Sequence, residues 1–362
     1  MFAGARILVA PLDWGLGHAA RCVPLVHALM EQGAVPVIGA DKGPLALLAT
    51  EFPQLEQARI PGVELRYGRG RSMAWMMARQ FPAMLRQVRA EHAWLEMHKQ
   101  ALQLDAVISD QRFGLYAPAL PSVLITHQLF PFTPVAQGLA RRINLQHIAP
   151  FDRCWVPDLA EEPGLAGELA HGKRLPANAR YIGPLSRFEH APAAKADHAW
   201  RVVAVISGPE PQRSMLEQLV LQQLHAIEGP HLLVAGRPGL EDNQVGPVQV
   251  VGHMATPDLH AALLSAELIV GRTGYSTLMD LAAIGRGALL VPTPGQPEQE
   301  YLGRLHAANG MHVVQDQRRF HIADVLPHPS DRHAACTGGA ARSTALSDLA
   351  HLIALRRAHH KT

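Results

Sequence analysis

The chain has 362 residues, 48% of them apolar and 18% charged, with a formal net charge of +2. That length exceeds one ordinary core and divides into two domains of about 150–200 residues each. The near-neutral balance argues against a nucleic-acid binder, and the apolar fraction excludes a disordered chain.

In chain order, the first half alternates short apolar runs with helix-like segments. "RILVA" (6–10), "AVPVIGA" (34–40), "DAVISD" (105–110), "PSVLITH" (121–127) and "RCWVPD" (153–158) are Val/Ile-rich and bounded by turn residues. Such runs suit strands buried on both faces of a parallel sheet. Between the first two, Val23, Val26, Leu29 and Met30 share one helical face, and Gly33 supplies a C-terminal stop. Pro24 within that helix implies a first-turn position or a kink. Residues 68–100 mix Met, Trp and Arg. They read either as an amphipathic helical pair on the first sheet or as a patch for an acceptor or membrane surface.

A linker is expected near 185–198, after which the alternation restarts. Strands are expected at 201–208, 231–236, 248–254, 267–274, 287–295 and 311–316, with helices at 211–227, 256–266 and 276–285. The predicted fold is α/β, with two doubly wound Rossmann-like domains at 1–185 and 199–340. A C-terminal helix is predicted at 343–358, free to dock on either domain.

Cys22, Cys154 and Cys336 show no C-x-x-C spacing, and the 21 histidines form no H-E-x-x-H pattern, so neither a disulfide framework nor a metal site is expected. No leader-like segment and no apolar run of roughly 20 residues is read. A cytoplasmic protein is expected, at most in peripheral contact with the inner face of the membrane.

The loop "PLDWGLGHAAR" contains G-x-G-x-x-A at Gly15, Gly17 and Ala20, with Asp41 some 20 residues on. That spacing fits a dinucleotide-binding dehydrogenase, but "PLDW" separates the first glycine from the strand end. The second half offers a different chemistry. Arg272, Thr273 and Gly274 form a turn that opens a helix, where backbone N–H groups and the Ser276 and Thr277 hydroxyls can seat phosphate. Asp280 follows one helical turn later, and its carboxylate suits two neighbouring ribose hydroxyls. "PTPGQPEQEY" places Gln296, Glu298, Gln299 and Glu300 on a Pro/Gly-shaped loop, a pattern matched to sugar hydroxyls. "ISGPEPQRS" offers further donors at Ser207 and Gly208. All three loops follow predicted parallel strands and so open at the carboxyl edge of the second sheet, where ligands bind in such folds.

On "GRTGYSTLMDLAAIGRGALLVPTPGQPEQEY" and "GLGHAAR", the chain resembles a GT-B glycosyltransferase of the family 28 type. Members of that family include an N-acetylglucosaminyltransferase of peptidoglycan synthesis. The resemblance implies two Rossmann-like domains across a cleft, with a UDP-sugar held mainly by the second. Asp280 stands where the family has a ribose-binding glutamate. Gln299 and Glu300 match a glutamine pair that contacts the donor sugar, the second being changed. His253 and Met254 match the region whose backbone reads the base. "SGPEPQR" replaces a glycine- and serine-rich diphosphate loop.

The implied reaction is inverting transfer of a sugar, N-acetylglucosamine, from a UDP donor to an unidentified glycan, lipid-linked or small-molecule acceptor. It needs a base and electrostatic relief for the leaving diphosphate. The family provides that relief without a metal or other cofactor, and the chain has no D-x-D motif. His18 is the first candidate base; the alternative is a residue that merely caps the helix or binds phosphate. Asp110 and His127, at predicted strand ends, can orient His18, act as base or bind acceptor. Asp13 and Arg21 flank the loop. Two other readings stay open: a UDP-sugar 2-epimerase and a non-catalytic sugar-nucleotide-binding protein.

Overall fold

The apolar runs of the first half form parallel strands. β1 (Arg6–Pro11), β2 (Val35–Ala40), β3 (Glu56–Arg59), β4 (Ala106–Asp110), β5 (Ser122–Ile125), β6 (Arg153–Val156) and β7 (Ala179–Tyr181) lie in the order β3-β2-β1-β4-β5-β6-β7. All neighbours pair in parallel. The computed structural model describes residues 1–62, 73–133, 136–172, 174–191, 199–237, 239–326, 334–336 and 338–359. Residues 68–72 of the Met- and Trp-rich stretch and 192–198 of the expected linker lie outside the described residues.

β1 and β4 are central, and Ile7, Leu8, Val9, Val107 and Ile108 are fully buried. Each such side chain contributes about 1.5–3 kcal/mol relative to exposure. Helices α1 (Leu16–Glu31), α2 (Lys42–Glu51), α3 (Met73–His98) and α4 (Gln137–Ile148) connect the strands. α1 stops at Gly33, whose φ of 82° suits glycine. Gly33 N–H donates to Met30 O at 2.9 Å and Ala34 N–H to Leu29 O at 3.0 Å, the paired bonds of a Schellman ending.

Where a helical pair was expected over 68–100, the described part is one helix, α3, running through Pro82. One lost hydrogen bond is outweighed by packing: Leu95 is fully buried, and Trp94 packs on the cluster of Leu8, Val37, Ile60 and Val107. α3 reaches the sheet because Gly114 has no side chain. A Cβ there would lie 2.0 Å from Val88 O and 2.7 Å from Glu91 Cβ. Gly114→Ala is therefore expected to cost about 1–3 kcal/mol, read as a lowered urea midpoint. An unchanged midpoint would show that α3 yields without cost.

The second series repeats the plan. β8 (Val202–Val205), β9 (His231–Val234), β10 (Asn243–Val245), β11 (Val248–Val251), β12 (Leu268–Gly271), β13 (Leu289–Leu290) and β14 (Val313–Val314) take the order β10-β11-β9-β8-β12-β13-β14. Only β10 among these runs antiparallel to its neighbour. The helices are α5 (Gln212–Leu224), α6 (Thr256–Ser265), α7 (Tyr275–Ile284), α8 (Pro297–Ala308) and α9 (Ile322–Val325). Val202, Ala204, Leu216, Val220, Leu233, Val270 and Leu289 are fully buried in one core cluster.

Two compact units result: Met1–Leu65, Met77–Leu185 and Thr337–Thr362 form one, Arg66–Met76 and Ser186–Cys336 the other. The C-terminal helix α10 (Gly339–His359) belongs to the first. Arg153 binds Asp348 bidentately at 2.5 and 3.0 Å, Arg357 Nε donates to Asp105 at 2.8 Å, and Leu346 and Leu349 are buried. In each sheet the strand order reverses once, between β1 and β4 and between β8 and β12. The carboxyl ends of those strands are where doubly wound folds open a ligand crevice.

Candidate functional site

In the first unit, the switch point carries a buried charge cluster. Gly15, with φ 135°, precedes α1, so Gly17 and His18 lie in the helix's first turn, which no side chain caps. β4 lies beside β1, with Pro11 opposite Asp110 in the ladder. This adjacency joins two residues 92 positions apart: His18 Nδ1 lies 3.0 Å from Asp110 Oδ2. Arg21, one helical turn after His18, donates from Nε to Asp110 Oδ2 at 2.7 Å and from Nη2 to Oδ1. His127, two residues past β5, is buried with Nδ1 3.5 Å from Arg21 Nη1.

The electrostatics favour an ionised Asp110 beside a neutral His18. Burial raises the Asp110 carboxyl, but the Arg21 guanidinium and His18 outweigh it and hold the carboxyl at about 2. Burial and the Arg21 cation push His18 below its ordinary value, against the pull of Asp110. Arg21 Nη2 sits 2.9 Å from His18 Nδ1 and opposes a second proton on the ring. His18 Nδ1 thus faces an acceptor, Asp110 Oδ2, and a donor, Arg21 Nη2; the tautomer that places Nδ1–H on Asp110 leaves the lone pair on Nε2. The His18 side chain is 19% exposed, whereas that of Asp110 is fully buried. The arrangement can accept a proton at one ring nitrogen while a carboxylate fixes the other.

In the second unit, the sequence-derived candidates line the carboxyl edge. Ser207 and Gly208 follow β8; His253 and Met254 follow β11; Arg272, Thr273 and Gly274 follow β12. Gly274 is the N-cap of α7, with Ser276 and Thr277 in its first turn and Asp280 one turn further. α7 has no side-chain cap and no acidic residue in its first turn, so its dipole is available to an anion. α8 differs. Gln296 caps it by accepting from Gln299 N–H at 2.5 Å, and Glu298 and Glu300 stand in its first turn. The Pro/Gly-shaped loop expected here thus ends at Gln296, because Pro297 suits a first helical position. Thr273 Oγ1 donates to Gln299 O at 2.8 Å and ties the starts of α7 and α8 together.

Residues 211–325 match the family described as "Glycosyltransferase family 28 C-terminal domain". That match lies wholly within the second unit. A UDP-N-acetylglucosamine–N-acetylmuramyl-(pentapeptide) pyrophosphoryl-undecaprenol N-acetylglucosamine transferase from Methylobacterium sp. (strain 4-46) is 39% identical over 98 residues, 27% of this chain. That alignment spans only 24% of the relative's own length. Among solved structures, the glycosyltransferase SnogD from Streptomyces nogalater superposes with a TM-score of 0.60 at 17% identity, over 98% of this chain and 100% of that one. The spinosyn rhamnosyltransferase SpnG complexed with thymidine diphosphate gives 0.57 at 19% identity, over 98% and 100%. The common fold is GT-B, with two parallel-sheet domains.

Within the second unit, several candidates hold protein partners. Arg272, counted with the donor-binding turn, is 1% exposed. Its guanidinium donates to Val291 O and Pro292 O at 3.2 Å, to Gln212 O at 2.8 Å and to Gln317 Oε1 at 2.6 Å. It knits three loops together rather than presenting its charge, because β12 delivers it beneath them. Burial without a carboxylate contact lowers its pKa to about 10. Gln299 Oε1 accepts from Thr293 N–H at 2.9 Å, and Glu300 accepts from Gly295 N–H at 2.8 Å. Asp280 Oδ1 accepts from Ser186 Oγ at 2.6 Å, and Arg187 Nε lies 3.9 Å from Oδ2. Burial raises the Asp280 carboxyl above its usual range, against Arg187 and Ser186.

Ser186 and Arg187 were missed as site residues. They fall in the expected linker, yet Ser186 caps a 3-10 turn, Arg187–His190, by accepting from Phe188 N–H. The S-R-F-E spacing was a legible capping box. Arg112 was missed as well: it is 1% exposed and binds Asp13 and Glu91. Only the clustering of charge in "SDQR" after an apolar strand hinted at it.

Proposed function

We propose that this protein moves N-acetylglucosamine from a UDP donor to a hydroxyl of its acceptor, with inversion at the sugar carbon and no bound metal or cofactor. The observation that carries the reading is His18 Nδ1 lying 3.0 Å from the buried Asp110 carboxylate, in surroundings that favour a neutral ring beside an ionised acid. His18 Nε2 takes the acceptor proton as the hydroxyl attacks, and Asp110 stabilises the imidazolium that forms. The sugar–phosphate bond breaks and UDP departs, its charge met by the start of α7. Asp280 takes the ribose hydroxyls, with Ser207, Gly208, Gln296, Gln299 and Glu300 around diphosphate and sugar and His253 and Met254 at the base. The match over 211–325 supports a nucleotide-sugar donor, and the Methylobacterium relative's name supports the same UDP-sugar.

That relative's lipid-linked acceptor supports an acceptor of the same kind here, reached at the inner face of the membrane. Among the described residues no helix is long and apolar enough to cross a membrane. α4 instead suits peripheral contact: Leu139 is 59% exposed beside Arg141 and Arg142, and only Ile148 of the helix is buried.

The test pairs UDP binding with transfer from labelled UDP-N-acetylglucosamine to extracted lipid. UDP is expected to raise the melting temperature of wild type and of His18→Gln alike, while His18→Gln loses transfer by about 10²–10⁴-fold. Absence of any UDP shift would overturn the donor assignment. Release of UDP and N-acetylmannosamine from donor alone would make the protein an epimerase. Because His18 is pushed below 6.5 in the free protein, the acid limb of kcat/KM is expected below that pH. Half-maximal activity at pH 6.5 or above would rule His18 out as the base.

A further inference from the structure

Asp110 and Arg112 stand two residues apart and grip opposite ends of the loop between β1 and α1. Asp110 holds His18 and Arg21, on the helix side. Arg112 holds the strand side, with Nε donating to Pro11 O at 2.8 Å and Nη2 to the Asp13 carboxylate. Its third nitrogen, Nη1, donates to Glu91 Oε1 of α3 at 3.1 Å. Glu91 Oε2 in turn accepts from Gly114 N–H at 3.1 Å, and Ser109 Oγ donates to Arg112 O at 2.6 Å.

Continued strand geometry would alternate Asp110 and Gln111 and leave Arg112 on the same face as Asp110. Gln111 breaks that pattern with a φ of 57°, a left-handed conformation that L side chains rarely adopt. A non-glycine residue held there is strained and persists only where its surroundings impose it. Here the surroundings are specific: Gln111 N–H donates to Ile125 O at 3.1 Å, and Gln111 Nε2 to Thr126 Oγ1 at 3.2 Å. The strained turn sends Arg112 to a second set of acceptors. The Arg112 side chain is fully buried and that of Asp13 is 8% exposed. A cation so placed, with acceptors on β1, its following loop and α3, does more than balance one acid.

We propose that Arg112 is a positioning residue for His18: with Asp110 it clamps residues 11–18 from both ends and ties that loop to α3. This rests on the reading of His18 as the base of a glycosyl transfer. Asp110 from β4, Arg21 from α1 and His127 after β5 are the charged and titratable groups that face the His18 ring. Arg112 is none of these groups, so its effect on His18 is carried by the loop it clamps and by the 109–112 turn it shares with Asp110.

Arg112→Lys keeps the positive charge but cannot bridge the same acceptors with one ammonium. It is expected to lower kcat by about 10–100-fold, the cost of roughly 1 Å of misplacement, with KM for the UDP-sugar changed less than about 3-fold. The His18 imidazole, followed by NMR and assigned by its absence in His18→Gln, is expected to titrate higher, towards 6.5, as its burial relaxes. Arg153→Gln breaks a bidentate pair elsewhere in the same unit and is expected to leave both readouts unchanged. A folded Arg112→Lys protein with wild-type His18 titration and kcat within about 2-fold of wild type would overturn the proposal. If the wild type transfers no sugar, the functional reading fails, and the His18 titration still decides whether Arg112 positions the loop.

Discussion

Asp110→Asn is expected to lower kcat by about 10³–10⁴-fold and to weaken the first unit at the same time. The catalytic loss follows from the tautomer. An amide can present its NH2 to His18 Nδ1, which then accepts and leaves the proton on Nε2, the nitrogen needed as base. The stability loss has a separate cause. Arg21 is 2% exposed and forms a buried ion pair with the Asp110 carboxylate. Removing one partner's charge from such a buried pair costs about 3–5 kcal/mol. Urea denaturation and kcat measured on the same preparation separate the two effects. His18→Gln should share the first and largely escape the second, because its ring is partly exposed. An Asp110→Asn enzyme with kcat within about tenfold of wild type would remove Asp110 from the mechanism.

Asp280→Ala carries the second large effect, on donor binding. Each charge-assisted hydrogen bond to a ribose hydroxyl contributes about 1.5–3 kcal/mol, so losing two raises the Kd for UDP by about 10²-fold or more. Ser186 Oγ already donates to Oδ1 and Arg187 Nε lies 3.9 Å from Oδ2, which orients the carboxylate. Calorimetry with UDP and with 2′-deoxy-UDP gives the cleaner contrast. Wild type should discriminate between them, whereas Asp280→Ala should bind both weakly and alike. Discrimination preserved in the variant would assign the ribose to another residue.

The two candidate clusters were unequally legible in the sequence. His18 and Asp110 could be paired in advance, because each ends or follows an apolar strand and doubly wound sheets put such ends side by side. Strands buried on both faces, such as "RILVA" and "DAVISD", are written in Val and Ile. β3 ("EQAR"), β7 ("ARY") and β10 ("NQV") are not. They lie at or near sheet edges, where one neighbour's backbone suffices and polar side chains face water, so no apolar pattern marks them. Buried arginines were the larger failure. Arg21, Arg112 and Arg272 are all 1–2% exposed, but a sequence cannot say which arginine has carboxylates or carbonyls waiting inside the fold. Arg272 was placed among the donor-binding residues of its turn, whereas its guanidinium is held by backbone carbonyls and the Gln317 side chain on neighbouring loops.

The docking of α10 on the first unit bears on how this chain is made. Arg153, Asp152 and Asp105 wait for partners on a helix that follows the whole of Ser186–Cys336. At about 5–20 residues per second, the ribosome takes roughly 8–30 s to pass through that intervening unit. During synthesis the second unit can close on itself at once. The first unit meanwhile stands with the groove for α10 uncovered, although it emerges earlier. The order of synthesis and the order of completion are therefore reversed, and the nascent first unit is the part exposed to chaperones and proteases in the interval.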